Sequence, residues 1–337
     1  MQETFSTSGA KISSGPIANP IYNVSVDGVL IIDKPPDLTS HDVVGRVRRI
    51  LRERRIGHTG TLDPFATGVL IVLVGRATRL AQFLGDLEKE YEAIIRLGYA
   101  TNTGDRTGTP LPDKSVLTSK RFNWNERQIQ AALSVLTGEI EQVPPMYSAK
   151  KQRGQRLYEL ARRGETVERA PVRVCVHKFE AINPGARMIK DNGDGTYDLA
   201  TRVVCSTGTY VRSLAEDLGK RLGIGAHLAE LRRTRVGRFD LTNAVTLDEL
   251  QLSFADDALG TVLLTPSLAL SQLPFMHLTD EDERKARHGR EVDVEGIGWA
   301  DGTHVRMCDA QGELIAVGNF DADRKNLHPR VVLADSR

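Results

Sequence analysis

Aromatic residues make up only 5% of this 337-residue chain, and it holds just three cysteines. Cys175, Cys205 and Cys308 lie far apart with no Cys-x-x-Cys pair, which argues against a disulfide framework or a zinc knuckle. They are expected as small apolar residues in strands. No apolar run comes near the roughly 20 residues needed to span a bilayer. The N-terminal segment has no basic stretch followed by an apolar one, so neither a signal peptide nor a membrane partner is expected, and the expected compartment is the cytoplasm. A phosphate loop, a dinucleotide fingerprint and a zinc signature are all missing. Asn192-Gly193-Asp194-Gly195 has the composition of a calcium loop without its carboxylate spacing, and reads as a turn. No cofactor and no metal are expected.

Charge of one sign is lacking too, since 45 Lys and Arg face 44 Asp and Glu for a net charge of +1. The total argues against a nucleic-acid partner, but distribution decides more than the sum. Between Val143 and Arg173 stand eight basic residues (Lys150, Lys151, Arg153, Arg156, Arg162, Arg163, Arg169, Arg173) against three Glu. Between Arg221 and Arg238 stand Arg221, Arg232, Arg233, Arg235 and Arg238 against Glu230 alone. Two such concentrations on a neutral chain fit a phosphate-binding face. No heptad repeat or large apolar stripe points to an obligate protein partner.

What is present suffices for a full core, with 40% hydrophobic residues forming two domains or one large domain with an appendage. Residues 1–25 are polar and aperiodic, as in a disordered arm. Gly28 to Lys34 reads as a strand stopped by Pro35-Pro36, and Ser40 as the N-cap of a helix running to Leu51. A Gly/Thr-rich loop, Gly57 to Gly68, leads into the apolar run Val69 to Val74, a buried strand. Ala77 to Leu84 suggests a short helix, and Glu88 to Leu97 alternates as a strand with Tyr91, Ala93, Ile95 and Leu97 on one side. Thr101 to Ser119 is a loop, and Asn125 caps a helix ending near Leu136. Val172 to Glu180 and Tyr197 to Cys205 read as a strand pair, and Ser206 to Gly219 as a loop feeding an amphipathic helix. Met276 to Leu333 is a series of short β-like segments. Mixed α/β architecture follows.

One carboxylate, Asp63, sits in the middle of the Gly/Thr-rich loop, and the proline after it pushes it away from helical backbone. Taken alone, Asp-Pro is a common turn. Gly57-His58-Thr59-Gly60-Thr61-Leu62-Asp63-Pro64, with Ala66-Thr67-Gly68 behind it, resembles the catalytic motif of the TruB family of tRNA pseudouridine synthases. Three further stretches match in type and spacing: Lys89-Glu90-Tyr91; Gly208-Thr209-Tyr210-Val211-Arg212; and Leu231 before Arg232-Arg233. The segment of about 143–170, basic with interleaved aromatics, is similar to the family's RNA-gripping insertion.

The resemblance implies an α+β fold, with a mixed, largely antiparallel sheet and flanking helices over 26–270, followed by a small β-rich PUA-like RNA-binding domain over 271–337. It implies an isomerase that converts the uridine of the T-arm loop of tRNA to pseudouridine without a cofactor. Asp63 would be the nucleophile, Arg212 its ion-pair partner and Tyr91 the ring stacked on the base. Tyr210 and Leu231 would pack on the base, His58 would assist its extrusion, and Lys150, Lys151 and Arg153 would hold the RNA. The residues alone leave open an RNA-binding or RNA-folding protein without catalysis, and the same chemistry on another RNA. They also leave open whether Asp63 attacks C1′, adds to the ring or abstracts a ribose proton.

Overall fold

A computed structural model describes residues 26–112, 125–152, 154–182, 188–296 and 298–333. The expected N-terminal arm, residues 1–25, lies outside the described residues, as do Arg153 and the second half of the expected loop 101–119.

The strands of the large sheet are β1 (Gly28–Lys34), β2 (Ile56–Thr59), β3 (Thr67–Val74), β4 (Lys89–Leu97), β5 (Gly138–Gln142), β8 (Val172–Ala181), β9 (Ile189–Asp191), β10 (Tyr197–Cys205), β11 (Ala226–Val236) and β12 (Phe239–Asp240). A two-stranded hairpin, β6 (Lys151–Gln152) and β7 (Gln155–Arg156), stands apart within the basic segment. The main path runs β1-β3-β11-β4-β10-β8-β5, with β2 on β3, β9 on β10 and β12 on β11. Every pairing is antiparallel except the short parallel contact of β11 with β3. The expected mixed, largely antiparallel sheet is therefore present.

Helices α1 (Ser40–Leu51), α2 (Ala81–Gly85), α3 (Glu126–Val135), α4 (Leu157–Arg162), α5 (Val211–Leu222), α6 (Leu247–Ala255) and α7 (Pro266–Ala269) flank it. A second sheet, ordered β13-β15-β16-β17-β14, is built from β13 (Phe275–His277), β14 (Val292–Asp293), β15 (His304–Cys308), β16 (Leu314–Asp321) and β17 (Asn326–Val332). Between its first two strands lies α8 (Asp280–Arg287), not expected from the sequence because its eight residues include a single buried apolar side chain, Ala286. Among the described residues no helix is long and apolar enough to cross a membrane.

The apolar run of β3 is continuous because both its faces are covered. Leu70, Val72 and Val74 pack with α1 and α6 residues, whereas Val69, Ile71 and Leu73 pack with Cys308, Leu314 and Val317 of the second sheet. A third core, holding Tyr91, Ile95, Leu214 and Leu218, lies between α3, α5 and the strands β4, β10 and β11. All three cysteines stand in strands, as expected.

Two local expectations shift. Residues 56–59, partly assigned to the loop, pair with β3 as β2. Thr39, not Ser40, caps α1: its hydroxyl accepts from the Asp42 amide at 3.0 Å and Asp42 accepts in return from the Thr39 amide. Ser40 moves into the first turn, where its buried hydroxyl fastens the Asp63 loop instead.

Gly68 marks the closest approach in the sheet. Its φ is +102° and an added Cβ would lie 2.1 Å from the Arg233 carbonyl oxygen, so the parallel contact of β3 with β11 requires a residue without a side chain. Gly68→Ala should therefore destabilise the protein by at least about 1–3 kcal/mol, read as a lower urea midpoint.

Candidate active site

The loop between β2 and β3 is rigid around Asp63. Leu62 and Phe65 on either side are buried in the core, only 3% and 4% exposed. The Ala66 amide donates to the Asp63 carbonyl at 3.1 Å, closing a β-turn with proline at its second position. The Ser40 hydroxyl donates to the Leu62 carbonyl at 3.2 Å and accepts from the Leu62 amide at 2.9 Å, tying the loop to the start of α1. The Pro64 carbonyl takes a 3.0 Å bond from the buried Lys34 ammonium and a 2.9 Å bond from the Asp37 amide. Lys34 also donates to the Pro35 and Leu38 carbonyls, and burial brings its pKa down to about 8.

Arg212, in the first turn of α5, grips Asp63 with both edges of a carboxylate fork. Nε stands 2.9 Å from Oδ2 and Nη2 donates to Oδ1 at 3.1 Å. The remaining capacity of the guanidinium goes to the Thr103 carbonyl at 3.0 Å and the Tyr147 carbonyl at 2.6 Å, with Asp105 Oδ2 at 3.8 Å. Asp105 is itself held by the Thr103 and Thr107 hydroxyls and the Thr107 amide. A cation at a helix N-terminus opposes the helix dipole, and the two carboxylates offset that cost.

Asp63 looks into a cleft of about 250 Å³ whose walls include Tyr91, Ser148, Tyr210 and Leu231. That is just below the roughly 300–1,000 Å³ of drug-sized pockets and is room enough for a planar base. The Asp63 side chain stays 30% open to the cleft although protein surrounds its carboxyl. Burial pushes its pKa above the ordinary aspartate value of 3.8, with the Arg212 guanidinium opposing this and Asp105 adding to it. Lys89, on the same wall, donates to the Gly85 and Leu87 carbonyls, and burial and then Arg233 lower its pKa to about 8. Burial likewise raises the Tyr91 hydroxyl. Tyr210 is held through its own peptide: its amide donates to the Gln142 side-chain oxygen at 2.9 Å and its carbonyl accepts from the same amide group at 3.3 Å.

The structure thus brings Asp63, Arg212, Tyr91, Tyr210 and Leu231 together around one cleft. His58 does not line it; its half-buried ring sits on β2, its pKa lowered by burial and its Nδ1 without a partner among the described residues. Lys150 and Lys151 are exposed beside the cleft-lining Ser148 and Ala149 and do not line the cleft, while Arg153 is not described. Of the second basic run Arg221 and Arg238 are exposed, whereas the three arginines between them are engaged within the protein. Arg232 pairs with Asp33 at 2.7 Å and Arg235 with Glu88 at 2.9 Å and Glu90 at 3.2 Å. Arg233 is 1% exposed, donating to the Val69 and Gly60 carbonyls.

Sequence reasoning missed Lys34, Asp105 and Gln142, and it gave Ser40 and Lys89 no role in the site. A lysine closing an apolar strand and an aspartate between threonines were the available signals. Among the described residues no three His, Cys, Asp or Glu side chains gather as a metal site.

Residues 48–211 match the family model described as TruB family pseudouridylate synthase (N terminal domain), and residues 212–270 match the tRNA pseudouridylate synthase B C-terminal domain. A protein of Thermobifida fusca (strain YX) named tRNA pseudouridine synthase B is 48% identical over 271 residues, 80% of this chain and 88% of that protein. The chain belongs to the TruB family of pseudouridylate synthases. A TruB protein of Solibacter usitatus (strain Ellin6076), also named tRNA pseudouridine synthase B, is 39% identical over 310 residues, 91% of this chain and 100% of its own length. Among solved structures, a Cbf5-Nop10-Gar1 complex contains a chain superposing with a TM-score of 0.68 at 28% identity, covering 92% of this chain and 85% of that one. An H/ACA RNP bound to a substrate RNA containing 2′-deoxyuridine gives 0.66 at 26% identity, covering 92% and 86%. The TruB enzymes are isomerases, and the family match carries that activity to this chain.

Because a nucleophilic or basic carboxylate works ionised, the acid limb of the pH–rate profile for pseudouridine formation should lie above pH 3.8. Arg212 holds that pKa down, so Arg212→Lys, which loses the two-pronged grip, should move the limb to higher pH and lower the plateau rate. A single-turnover profile that shows no upward move would contradict the assignment.

Proposed function

We propose that this chain converts the uridine in the T-arm loop of tRNA to pseudouridine, with Asp63 as the nucleophile. The observation that carries the reading is a single carboxylate, fixed by Arg212 and open to a cleft with room for a base. Its relatives are named for tRNA, and a structural neighbour at 26% identity is bound to an RNA containing 2′-deoxyuridine.

The reaction breaks the bond from ribose C1′ to uracil N1 and forms one from C1′ to C5. The C5 proton leaves and N1 gains one, so the product is an isomer and no electrons are exchanged with a second molecule. The target must first leave its stack, at a cost of a few kcal/mol. Stacking on the aromatic ring of Tyr91 offsets roughly 1–3 kcal/mol of that cost. Leu231 and the Tyr210 ring enclose the base, so that it can turn without escaping. A base that departs with the bonding pair is anionic, and the Lys89 and Arg233 cations line the same cleft. Hydrolysis of a glycosidic bond ordinarily uses two carboxylates on opposite sides of it. Here Asp105 is turned to threonine hydroxyls and Arg212, which leaves Asp63 alone toward the cleft.

Outside the cleft, the exposed Lys150, Lys151, Arg156 and Arg162 on the segment 143–170 hold the RNA, Arg153 is assigned the same role from the resemblance, and His58 assists extrusion of the base. The second sheet, within 271–337, serves as a PUA-like RNA-binding domain following a catalytic domain of 26–270.

Asp63→Asn should abolish pseudouridine formation on an unmodified tRNA transcript, with no cofactor added, while leaving the dissociation constant for that transcript within about threefold. Mapping the product should show one pseudouridine, in the T-arm loop. Turnover retained in the variant would refute the role of Asp63, and binding without any product from the native chain would make it an RNA-binding protein.

A further inference from the structure

A third basic stretch lies outside the two runs already described. From Arg46 to Arg55 stand six arginines, Arg46, Arg48, Arg49, Arg52, Arg54 and Arg55, against Glu53 alone. Unlike Arg232 and Arg235, these are largely uncompensated. Five of the six are exposed, and none has a carboxylate partner among the described residues. Arg48 is half-buried and donates to the Ile56 carbonyl at 2.8 Å. Glu53 accepts from the backbone amide of Arg55 at 2.7 Å and forms no ion pair with any of the six, leaving one negative charge among them.

The helix dipole accounts for part of this, since cations are favourable in the last turn, where Arg48 and Arg49 stand. Asp42, one turn before Arg46, offsets part of that charge, but the dipole does not account for Arg54 and Arg55 beyond the helix end. Arg46, Arg49 and Arg52 recur at three-residue spacing, where like charges repel. An external anion would relieve that repulsion.

The placement connects the patch to the catalytic loop. The α1 N-terminus is fastened to Leu62 through Ser40, and its last turn to Ile56 through Arg48, so α1, β2 and the Asp63 loop close into one unit. At 1.5 Å per residue, Arg46 stands about 9 Å and Arg52 about 18 Å along the helix from Ser40. Guanidinium groups keep their charge at every working pH and match phosphate oxygens with two donors at once.

We infer that the arginine row of α1 and the turn after it is a second phosphate-binding surface, engaging the RNA backbone beyond the nucleotide in the cleft. The inference rests on the reading of this chain as an RNA-modifying enzyme and extends its RNA footprint to a face that neither the cleft nor the segment 143–170 supplies.

The test is the triple variant Arg46→Gln/Arg52→Gln/Arg54→Gln, whose positions are exposed, compared with the native chain on a full-length tRNA transcript. Each phosphate contact contributes roughly 0.7–0.9 to the slope of log affinity against log salt, so the slope should fall by about 2 to 3. KM should rise at least tenfold at about 0.15 M salt while kcat holds, and the corresponding triple Lys variant should recover most of the slope. An unchanged slope and KM would overturn the inference. So would a variant that loses binding to phosphatidylserine vesicles alone, which would assign the row to an acidic membrane surface. A native chain that makes no pseudouridine, paired with a slope that still falls, would refute the enzymatic reading and leave the RNA surface standing.

Discussion

The buried Arg212 guanidinium is the point on which this structure turns. A charge at 5% exposure has to be satisfied by protein, and it is satisfied by three other segments of the chain at once. The loop before β3 brings Asp63, the turn after β4 brings Thr103 and Asp105, the segment after β5 brings the Tyr147 carbonyl, and α5 brings the arginine itself. Because the guanidinium is planar and its donors are fixed, these partners cannot move independently. The carboxylate that faces the cleft is thus oriented by the same bonds that hold the basic segment against the core. The rest of the loop agrees with that orientation: Ser40 and Lys34 fix the backbone on both sides of Asp63, so its side chain has little freedom left for other rotamers.

The sheet supplies the frame. β4 and β11 pair antiparallel with Tyr91 opposite Arg233 and Ala93 opposite Leu231, and the parallel contact of β11 with β3 sets the catalytic loop at the strand ends. The cleft is made from five separated segments, two of them fixed by the register of β4 with β11 and the others pinned to the core by the bonds of Ser40, Arg212 and Gln142. A reaction in which a detached base must turn over without escaping depends on walls of that kind.

Much of this was legible in the sequence. The two-faced run of β3, the alternation of β4 and the Asn125 cap of α3 are local signals, written within a few residues of one another. The resemblance around Asp63, Tyr91 and Arg212 named the residues that the fold gathers. What could not be read was the fate of charges. Arg232, Arg233 and Arg235 form a basic run in the sequence, yet their partners lie more than 140 residues away and turn it into an internal network. Asp105 and Gln142 act through backbone and side-chain groups brought near only by folding. The arginines of α1 pose the opposite case: among the described residues none of them forms an ion pair, which only the structure shows.

β1 and β3 carry alternate residues into two different cores, one of them shared with the second sheet. Val29, Ile31, Val69, Ile71 and Leu73 are wholly or almost wholly buried, and their cover on that side includes Leu314, Val317 and Val331. Removing the second sheet would strip apolar surface from the very strand that carries the catalytic loop. The C-terminal portion is therefore no detachable accessory. It is part of the wall behind β1 and β3.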